Sequence, residues 1–586
     1  MQNLRILGYQ PRFLTPNASF APSQQISFSP RQEEHHRKIV RRALRKYGSK
    51  ELIDETIHGY RRSAGDDIAA EKDFLKTDQP YVDLKRDFHY KRALRLTEKL
   101  FRPSRQLRPI SFPDLRFYPW NLSTSAEAPF TIKKRWYEHV RTKQAGGDVE
   151  NSRMSFHNLY NEIFHENRRR IHMIKDLDRQ FWEEDGTPKP YYWAELHTRA
   201  HLVKAEKEDK NRAVFGVPKL LLMAENMFIW PLMSEYLNMR VDAPLLWGFE
   251  TIRGGWKKLR RDIRSKSRGA NTFISADWSG FDHKALHAII DDVHHMWRSW
   301  FTFDDGYQPT NVYPDSSTGG YSSDRIDNLW NWMTWNIKHI RIRGASDALY
   351  QWQFNGIASG YQQTQLLDSF VNCIMLLTVL SEAGIDIDSP EFYIRVQGDD
   401  SIICFRERKF HLEGKHFLAK ISMMAKERFN ADLSPDKTTY GDNLNDLEVL
   451  SYKNRNGIAY REEAELLAHL LYPERPRAYE ALAAASVGIA MASMGCSRSV
   501  YLICRDIHMH LTSYHRFDQS KYDRHYIFKG MKIPIPNDLG FPSFDELFSQ
   551  NFDLRERTEA EKQHLWPTRD NGVRTEQFPD GFYFLE

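Results

Sequence analysis

A chain of 586 residues, 41% hydrophobic and 27% charged, has the apolar content to bury one or several sizeable cores, which excludes a tail, a linker or a low-complexity filament. Its formal net charge is only +5, so a polyanionic partner has to be argued from local clusters and not from the total. The four cysteines, Cys373, Cys404, Cys496 and Cys504, form no CxxC pair and no short-spaced framework, and read as reduced thiols in a cytosolic protein.

Met1 to Tyr9 has no long apolar run and soon meets Pro11 and Pro16, so no targeting signal is expected, and the sequons at Asn17 and Asn121 are expected to stay unmodified. From Met1 to about Arg31 the chain is rich in Pro, Ser, Gln and Asn without periodicity, the mark of an extended surface arm. Glu33 to Tyr47 then turns helical, with Ile39, Ala43, Leu44 and Tyr47 on one side, Arg and Lys on the other, and Gly48 as a stop. That basic face reads as solvated, with membrane or nucleic acid as alternatives. Prolines at 103, 109, 113 and 119 mark a first candidate boundary, followed by the small-residue loop Asn121 to Pro129 and the basic Lys133-Lys134-Arg135. His165-Glu166 followed by His172 lacks the spacing of a zinc-binding HExxH, and no GxxxxGK[ST] loop is present. Lys210 to Lys219 carries cations on a segment that Gly216 and Pro218 keep out of a helix, which suits a triphosphate clamp. Lys257 to Arg268 is strongly basic, fit to track a nucleic-acid backbone or to form a wet helix face.

Asn271 to Ala276 reads as a strand running into Asp277, and Asp282 stands at the entrance of a helix marked by Leu286, Ile289, Ile290, Val293 and Trp297. Asp282 is a fair helix cap, whereas Asp277 at a strand end has no such structural role. Trp330 to Ile342 is core packing. Gly356 to Gly360 forms a turn leading into a helix that buries Leu366, Leu367, Phe370, Val371, Ile374 and Leu377, while Thr364, Asp368 and Asn372 line up at i, i+4 and i+8 as a polar stripe. Gly398-Asp399-Asp400, clasped between Tyr393–Gln397 and Ser401–Phe405, reads as a tight hairpin with carboxylates at its tip. Adjacent carboxylates repel, and a rigid turn that holds them together makes sense around a divalent cation. The decoys Asp291-Asp292 and Asp304-Asp305-Gly306 lie in a helical pattern and a loop, not between strands. The longest uncharged stretch, Ala481 to Cys496, is shorter than the ~20 residues of a membrane span and reads as a buried helix. No membrane association is expected.

The ordered set Asp277-x4-Asp282, Ser359-Gly360-x3-Thr364-x7-Asn372 and Gly398-Asp399-Asp400 resembles the viral RNA-dependent RNA polymerases, most closely those of the double-stranded RNA partitiviruses, with picobirnaviruses as the nearest alternative. Arg212 and Lys219 match the family's basic motif, Ser434-Pro435-Asp436-Lys437 its lysine-bearing segment, and Glu448 to Lys453 with Asn454 to Gly457 its primer-grip hairpin. Thr124-Ser125-x3-Pro129 resembles the template-entry motif, with Glu127 where the family usually has Gly. These matches cover roughly residues 120 to 460.

The resemblance implies an α+β right-hand polymerase fold, with an antiparallel palm sheet, fingers and a helical thumb. In residues, it implies an N-terminal arm and helical extension over 1–110, mainly fingers over 111–270, palm over 271–300 and 356–460, an insertion over 301–355, and a helical thumb with a tail over 461–586. It implies metal binding by Asp277, Asp399 and Asp400, and proton donation to pyrophosphate by Lys437. Arg212, Lys219, Asp282, Ser359, Thr364 and Asn372 would bind the nucleotide, with Asp282 and Asn372 reading its ribose 2′-hydroxyl. Thr124, Ser125, Pro129, Gly360 and Lys453 would bind RNA. Two Mg2+ ions, with Mn2+ as the alternative, would serve transfer of ribonucleotides on an RNA template, inside a virus particle in the host cytoplasm with coat protein as partner. Two rivals are weighed. A reverse transcriptase usually carries an aromatic where this chain has Gln397-Gly398, and a non-catalytic RNA-binding or capsid-associated protein would not need intact Asp277, Asp399 and Asp400.

Overall fold

The acidic residues are carried by a four-stranded sheet at the centre of a computed structural model that describes residues 1–11, 30–237, 241–310, 323–407, 410–434, 437–474, 477–524 and 540–554. The strands used below are β1 (Leu4–Tyr9), β2 (Ala194–Ala200), β3 (Asn211–Gly216), β4 (Thr272–Ala276), β5 (Arg341–Arg343), β6 (Ala348–Trp352), β7 (Tyr393–Gln397), β8 (Asp400–Phe405), β9 (Thr439–Gly441), β10 (Lys453–Arg455) and β11 (Ile458–Tyr460). The helices are α1 (Pro30–Tyr47), α2 (Lys219–Leu237), α3 (Thr364–Glu382), α4 (Glu463–Leu471), α5 (Tyr479–Ala492) and α6 (Arg498–Thr512).

The central sheet is fully antiparallel, in the order β7-β8-β4-β9. Successive side chains of a strand point to opposite faces, and here both faces are apolar. Ile274, Ile394, Ile403 and Phe405 enter the main core, while Phe273, Tyr393, Ile402 and Cys404 enter a second one with Trp256, Leu259 and Ile263 of the helix Gly255–Lys266. A sheet wedged between two cores has no freedom to slip in register. α3 lies against β7 and the helix Phe88–Phe101, and it is long and apolar enough to cross a membrane, yet 94% of that window is buried inside the fold. It is therefore the core helix on which the sheet rests.

A five-stranded sheet in the order β1-β6-β5-β2-β3 flanks this centre and carries Arg212 on its outer strand. The N-terminal residues, expected as a surface arm, instead form an edge strand: β1 pairs with β6 from Leu4↔Trp352 to Tyr9↔Ala348, and the buried Asn3 side chain bonds to the carbonyls of Thr77 and Asn355. Residues 12–29 of the expected arm lie outside the described residues. The proline-bearing segment 101–119 runs through the main core, which buries Leu107, Ile110, Phe112 and Leu115.

A separate core is built from the two ends of the chain. Ile39, Val40, Ala43 and Leu44 of α1 pack with Leu467 and Leu470 of α4, Leu482 of α5 and Ile503, Ile507 and Leu511 of α6. The buried, mostly apolar helix expected over Ala481 to Cys496 is present as α5. All four cysteines are free thiols. The aromatic C-terminal tail, Phe582 to Glu586, lies outside the described residues.

Candidate active site

Strand register brings the acids together. In the β4–β8 pairing Ala276 faces Ser401, so Asp277, the next residue, leaves the sheet beside Asp400 and Asp399. The β7–β8 hairpin closes at Gln397↔Asp400, which leaves Gly398-Asp399 as a two-residue turn and makes Asp400 the first residue of β8 rather than part of the tip. Gly398 has φ +61, the conformation that such a turn requires at its first central position and that glycine alone adopts without strain. On the other side of β4, Thr439 faces Ser275, and the chain entering β9 places Lys437 against Asp277, with Nζ 3.4 Å from Oδ2. The Asp277 carbonyl accepts from Ser434 N–H at 2.9 Å, fixing that approach. Residues separated by more than 150 positions thus meet at one end of one sheet; Pro435 and Asp436 lie outside the described residues.

α3 holds the hairpin from below. Asn372 donates from Nδ2 to the Gly398 carbonyl at 2.9 Å and accepts from Trp278 Nε1–H at 2.7 Å, and the Ser369 hydroxyl oxygen accepts from Gly398 N–H at 2.8 Å. Asn372 is fully buried. Expected to meet a ribose, it has both amide atoms engaged in positioning the turn. Asp368, one helical turn earlier, is also buried, and its Oδ1 has no hydrogen-bond partner among the described residues.

The field at this sheet end is strongly acidic. Burial, then Asp399 and Asp277, push the Asp400 carboxyl up to about 7. Burial and Asp277 raise Asp399, against the pull of Arg212 and Lys437. Burial and Asp399 push Asp282 up to about 6, and Asp368 is held well above the carboxylate range by burial and by Asp282 and Asp399. Asp282 is not a cap, since the N-cap position belongs to Gly280 and the short helix Phe281–Lys284 ends before the longer helix His287–Ser299 begins. Opposing these acids, Lys210 and Arg212 share the field of Asp277 and Asp399 with Lys437. The decoy acids behave differently: Asp291 pairs with Lys338, and Asp292 accepts from Arg86 and Tyr90.

The turn before α3 is locked to the flanking sheet. A Cβ on Gly360 would stand 2.1 Å from the Phe215 carbonyl oxygen, so only glycine lets this turn touch β3. Glu225, buried in α2, accepts from the backbone N–H groups of Gln362 and Gln363 and from Gln363 Nε2. Thr364 donates to the Ala358 carbonyl at 2.6 Å, and Ser359 remains exposed.

Lys219 departs from its expected place. It opens α2 rather than extending the strand, is buried, donates to Thr124 Oγ1 at 3.3 Å and lies over the Phe156 ring. Burial lowers its proton affinity, and the Glu127 carboxylate opposes that shift. Glu127 sits at φ +60, its backbone N–H held by Ser125 Oγ, with its carboxylate against Gly216. Glycine would adopt this φ without strain, and the glutamate that stands here supplies an anion near Lys219. Pro129 is buried beside this loop. Lys453 lies apart from the acids, on the β10–β11 hairpin, whose Asn456-Gly457 turn has positive φ at both residues, and its Nζ is 4.0 Å from Glu462.

Among the described residues, no three His, Cys, Asp or Glu side chains converge as a preformed metal cage. The donor set is one carboxylate from a strand end and two from a hairpin, all oxygen, in a crowd of like charge that a hard divalent cation relieves. Such a half-built site fits a cation that keeps water and substrate oxygens in its shell. Sequence reasoning missed Ser369 and Glu225, and it took Lys210 only as part of a cationic segment and Asp368 only as part of a polar stripe, although Ser369 stands one helical turn before Asn372 and Lys210 two residues before Arg212.

Comparison with known proteins agrees with this geometry. The RNA-directed RNA polymerase of White clover cryptic virus 1 is 30% identical over 510 residues, covering 81% of this chain and 82% of that protein. The RNA-directed RNA polymerase of Atkinsonella hypoxylon virus is 25% identical over 462 residues, 73% of this chain and 67% of that protein. The profile of the viral RNA-dependent RNA polymerases matches residues 70–505, a span that holds every acid of the cluster, and the chain belongs to that family.

Proposed function

We propose that the chain is the polymerase of a double-stranded RNA virus of the partitivirus type, copying RNA by template-directed transfer of ribonucleotides. The observation that carries this reading is the meeting of Asp277, Asp399 and Asp400 at one sheet end with Lys437 3.4 Å from Asp277. In this reading the β7-β8-β4-β9 sheet is the palm, the β3-bearing sheet and residues 111–270 belong to the fingers, and the helices after residue 460 form the thumb.

Asp277 and Asp399 would hold divalent cations, Mg2+ in the cell with Mn2+ as a substitute, and Asp400 would support them from the start of β8. Bound cations of this class activate the 3′-hydroxyl and neutralise charge on the attacked phosphate. Lys210 and Arg212 would lie along the triphosphate, where cations on a strand cost little reorganisation. Lys437, oriented by Asp277, would give its proton to the departing pyrophosphate, a contribution worth roughly 10²- to 10⁴-fold in rate. Asp282 and the adjacent Asp368 would face the ribose hydroxyls, with Ser359 at the exposed turn, while Asn372 and Ser369 hold the hairpin beneath them. Thr124, Ser125 and Lys453 would meet RNA, and Lys219 would brace the template-entry loop from inside. Coat protein is the expected partner, and the particle interior in the host cytoplasm the expected place of work.

The test is incorporation of labelled ribonucleotides and deoxyribonucleotides on an RNA template with Mg2+, comparing the chain with Asp399→Asn. Ribonucleotide incorporation that the variant loses supports the reading. Equal incorporation by the variant, or a preference for deoxyribonucleotides, overturns it.

A further inference from the structure

Helix α1 contains seven Arg and Lys side chains against two carboxylates, a net charge of +5. The whole chain also has a net charge of +5. Outside this one helix, positive and negative charges balance. Positive charge is thus clustered locally, in α1 and again in the helix Gly255–Lys266, which also has a net charge of +5, and is not spread evenly over the surface.

The helix is held rigidly. Ile39, Val40, Ala43 and Leu44 are buried against α4, α5 and α6, which fixes the opposite face toward solvent. Two rows of cations run along that face with i, i+4 spacing: Arg37, Arg41 and Arg45, and beside them Lys38, Arg42 and Lys46. Arg42 and Lys46 are tied to Asp506 of α6. Arg37, Lys38 and Arg45 are exposed and have no ion-pair partner among the described residues, and Arg41, about one-third exposed, has only Glu34, its side chain itself exposed, at 3.6 Å. A pair of that kind is worth little. Four residues of helix rise about 6 Å, close to the spacing of successive phosphates along an RNA strand. Guanidinium groups, moreover, match phosphate oxygens in a two-pronged geometry that lysine lacks.

The chemistry of the face discriminates between polyanions. No large apolar side chain of α1 is exposed, and on α6 only Met509 is. A helix that lies on a membrane needs an apolar face to insert, and a protein interface needs aromatic or aliphatic anchors at its centre. A row of arginines on a rigid helix without either fits a backbone of phosphates. We propose that the Arg37, Arg41 and Arg45 face of α1 is an RNA-backbone ridge, carried on the C-terminal helices and separate from the acid cluster, that holds template or product RNA beyond the active site. The identity of the polyanion rests on the polymerase reading; the existence of the ridge does not.

The experiment measures binding of a labelled, blunt RNA duplex to the full chain across a salt series, for the unchanged protein and for R37A/R41A/R45A. Alanine keeps the helix, and unchanged thermal unfolding checks this. The expected result is a roughly tenfold weaker affinity and a slope of log affinity against log salt shallower by about 2 to 3, the effect of three lost phosphate contacts. R37K/R41K/R45K should keep the salt slope, because charge is retained, and serves as the folded control if the alanine variant unfolds: a slope reduced in the lysine variant overturns the proposal. Equal affinity and slope in the alanine variant overturn it too, as does unaltered RNA binding with loss of binding to anionic vesicles or to coat protein. Asp399→Asn should bind the duplex as the unchanged chain does while losing incorporation, so failure of the ridge and failure of the polymerase reading give different results.

Discussion

The Asn372 side chain donates to the Gly398 carbonyl at 2.9 Å from a position that solvent does not reach, so a helix residue sets the angle of the turn that bears Asp399. Asn372→Ala leaves that carbonyl and the Trp278 N–H without partners, at about 1 to 3 kcal/mol for each buried group. Expected are a stability loss of about 2 to 6 kcal/mol by urea unfolding, an incorporation rate reduced at least tenfold, on the order of a small misplacement of catalytic groups, and an unaltered preference for ribonucleotides. Collapse of that preference with no change in stability would assign Asn372 to the ribose after all.

Gly360 and Gly398 are required for different reasons. At Gly360 a Cβ would meet the Phe215 backbone oxygen at 2.1 Å, whereas at Gly398 the space is open and only φ +61 is restrictive. Gly360→Ala should cost about 3 kcal/mol or more, since β3 must move. Gly398→Ala should cost about 1 to 2 kcal/mol. Chemical denaturation of the two variants gives the order, and a reversed order would contradict the close approach of the turn to β3.

Glu127 in its buried loop and Lys219 at the start of α2 are buried opposite charges, and the field of one acts on the other. Glu127→Gly relieves a positive φ worth about 1 kcal/mol but removes the anion whose field favours the buried ammonium, a through-space effect of about 2 to 3 kcal/mol. The variant should be less stable by about 1 to 2 kcal/mol, the difference of those two effects, and E127G/K219M should recover most of the loss. A double-mutant cycle in urea measures the coupling, and a value near zero would show that the two side chains act independently.

Glu225 carries the clearest pH signature. Burial pushes its carboxyl up to about 7 from the ordinary 4.5, even though Gln363 and the backbone of Gln362 donate to it. The folded state therefore binds a proton more tightly than the unfolded chain, and stability falls as pH rises from about 4.5 to about 7. Glu225→Gln mimics the neutral form. Its stability relative to the parent should be near zero at about pH 4 and favourable by about 3 kcal/mol at about pH 8, measured by unfolding at both values. A difference independent of pH would mean that the carboxyl is neutral or charged throughout.

Much of the site was legible because its signals are local. The run of β-branched residues on either side of Gly398-Asp399 predicts β7, β8 and their turn, and they form over Tyr393–Gln397 and Asp400–Phe405. The strand before Asp277 and the helix after Thr364 follow from alternation and helical spacing in the same way. β1 was missed because a single edge strand in a proline- and serine-rich segment has no periodic signal of its own; it forms because β6 offers an open edge and Asn3 is gripped by two carbonyls.

By itself, the sequence determined the hairpin of β7 and β8, the strand before Asp277 and the helix after Thr364, and that two acidic motifs stand at strand ends, since propensity, turn chemistry and periodicity act over a few residues. The tertiary structure alone decided what each polar side chain does. Thr364, Asp368 and Asn372 are equivalent by spacing, yet Thr364 closes a turn, Asp368 Oδ1 has no partner among the described residues and Asn372 is bonded to the hairpin. Lys219 and Arg212 read as one basic motif, yet one is buried beside Glu127 and the other faces the acids. Burial and hydrogen-bond partners come from segments far away in the chain, and no local pattern encodes the register that brings them together.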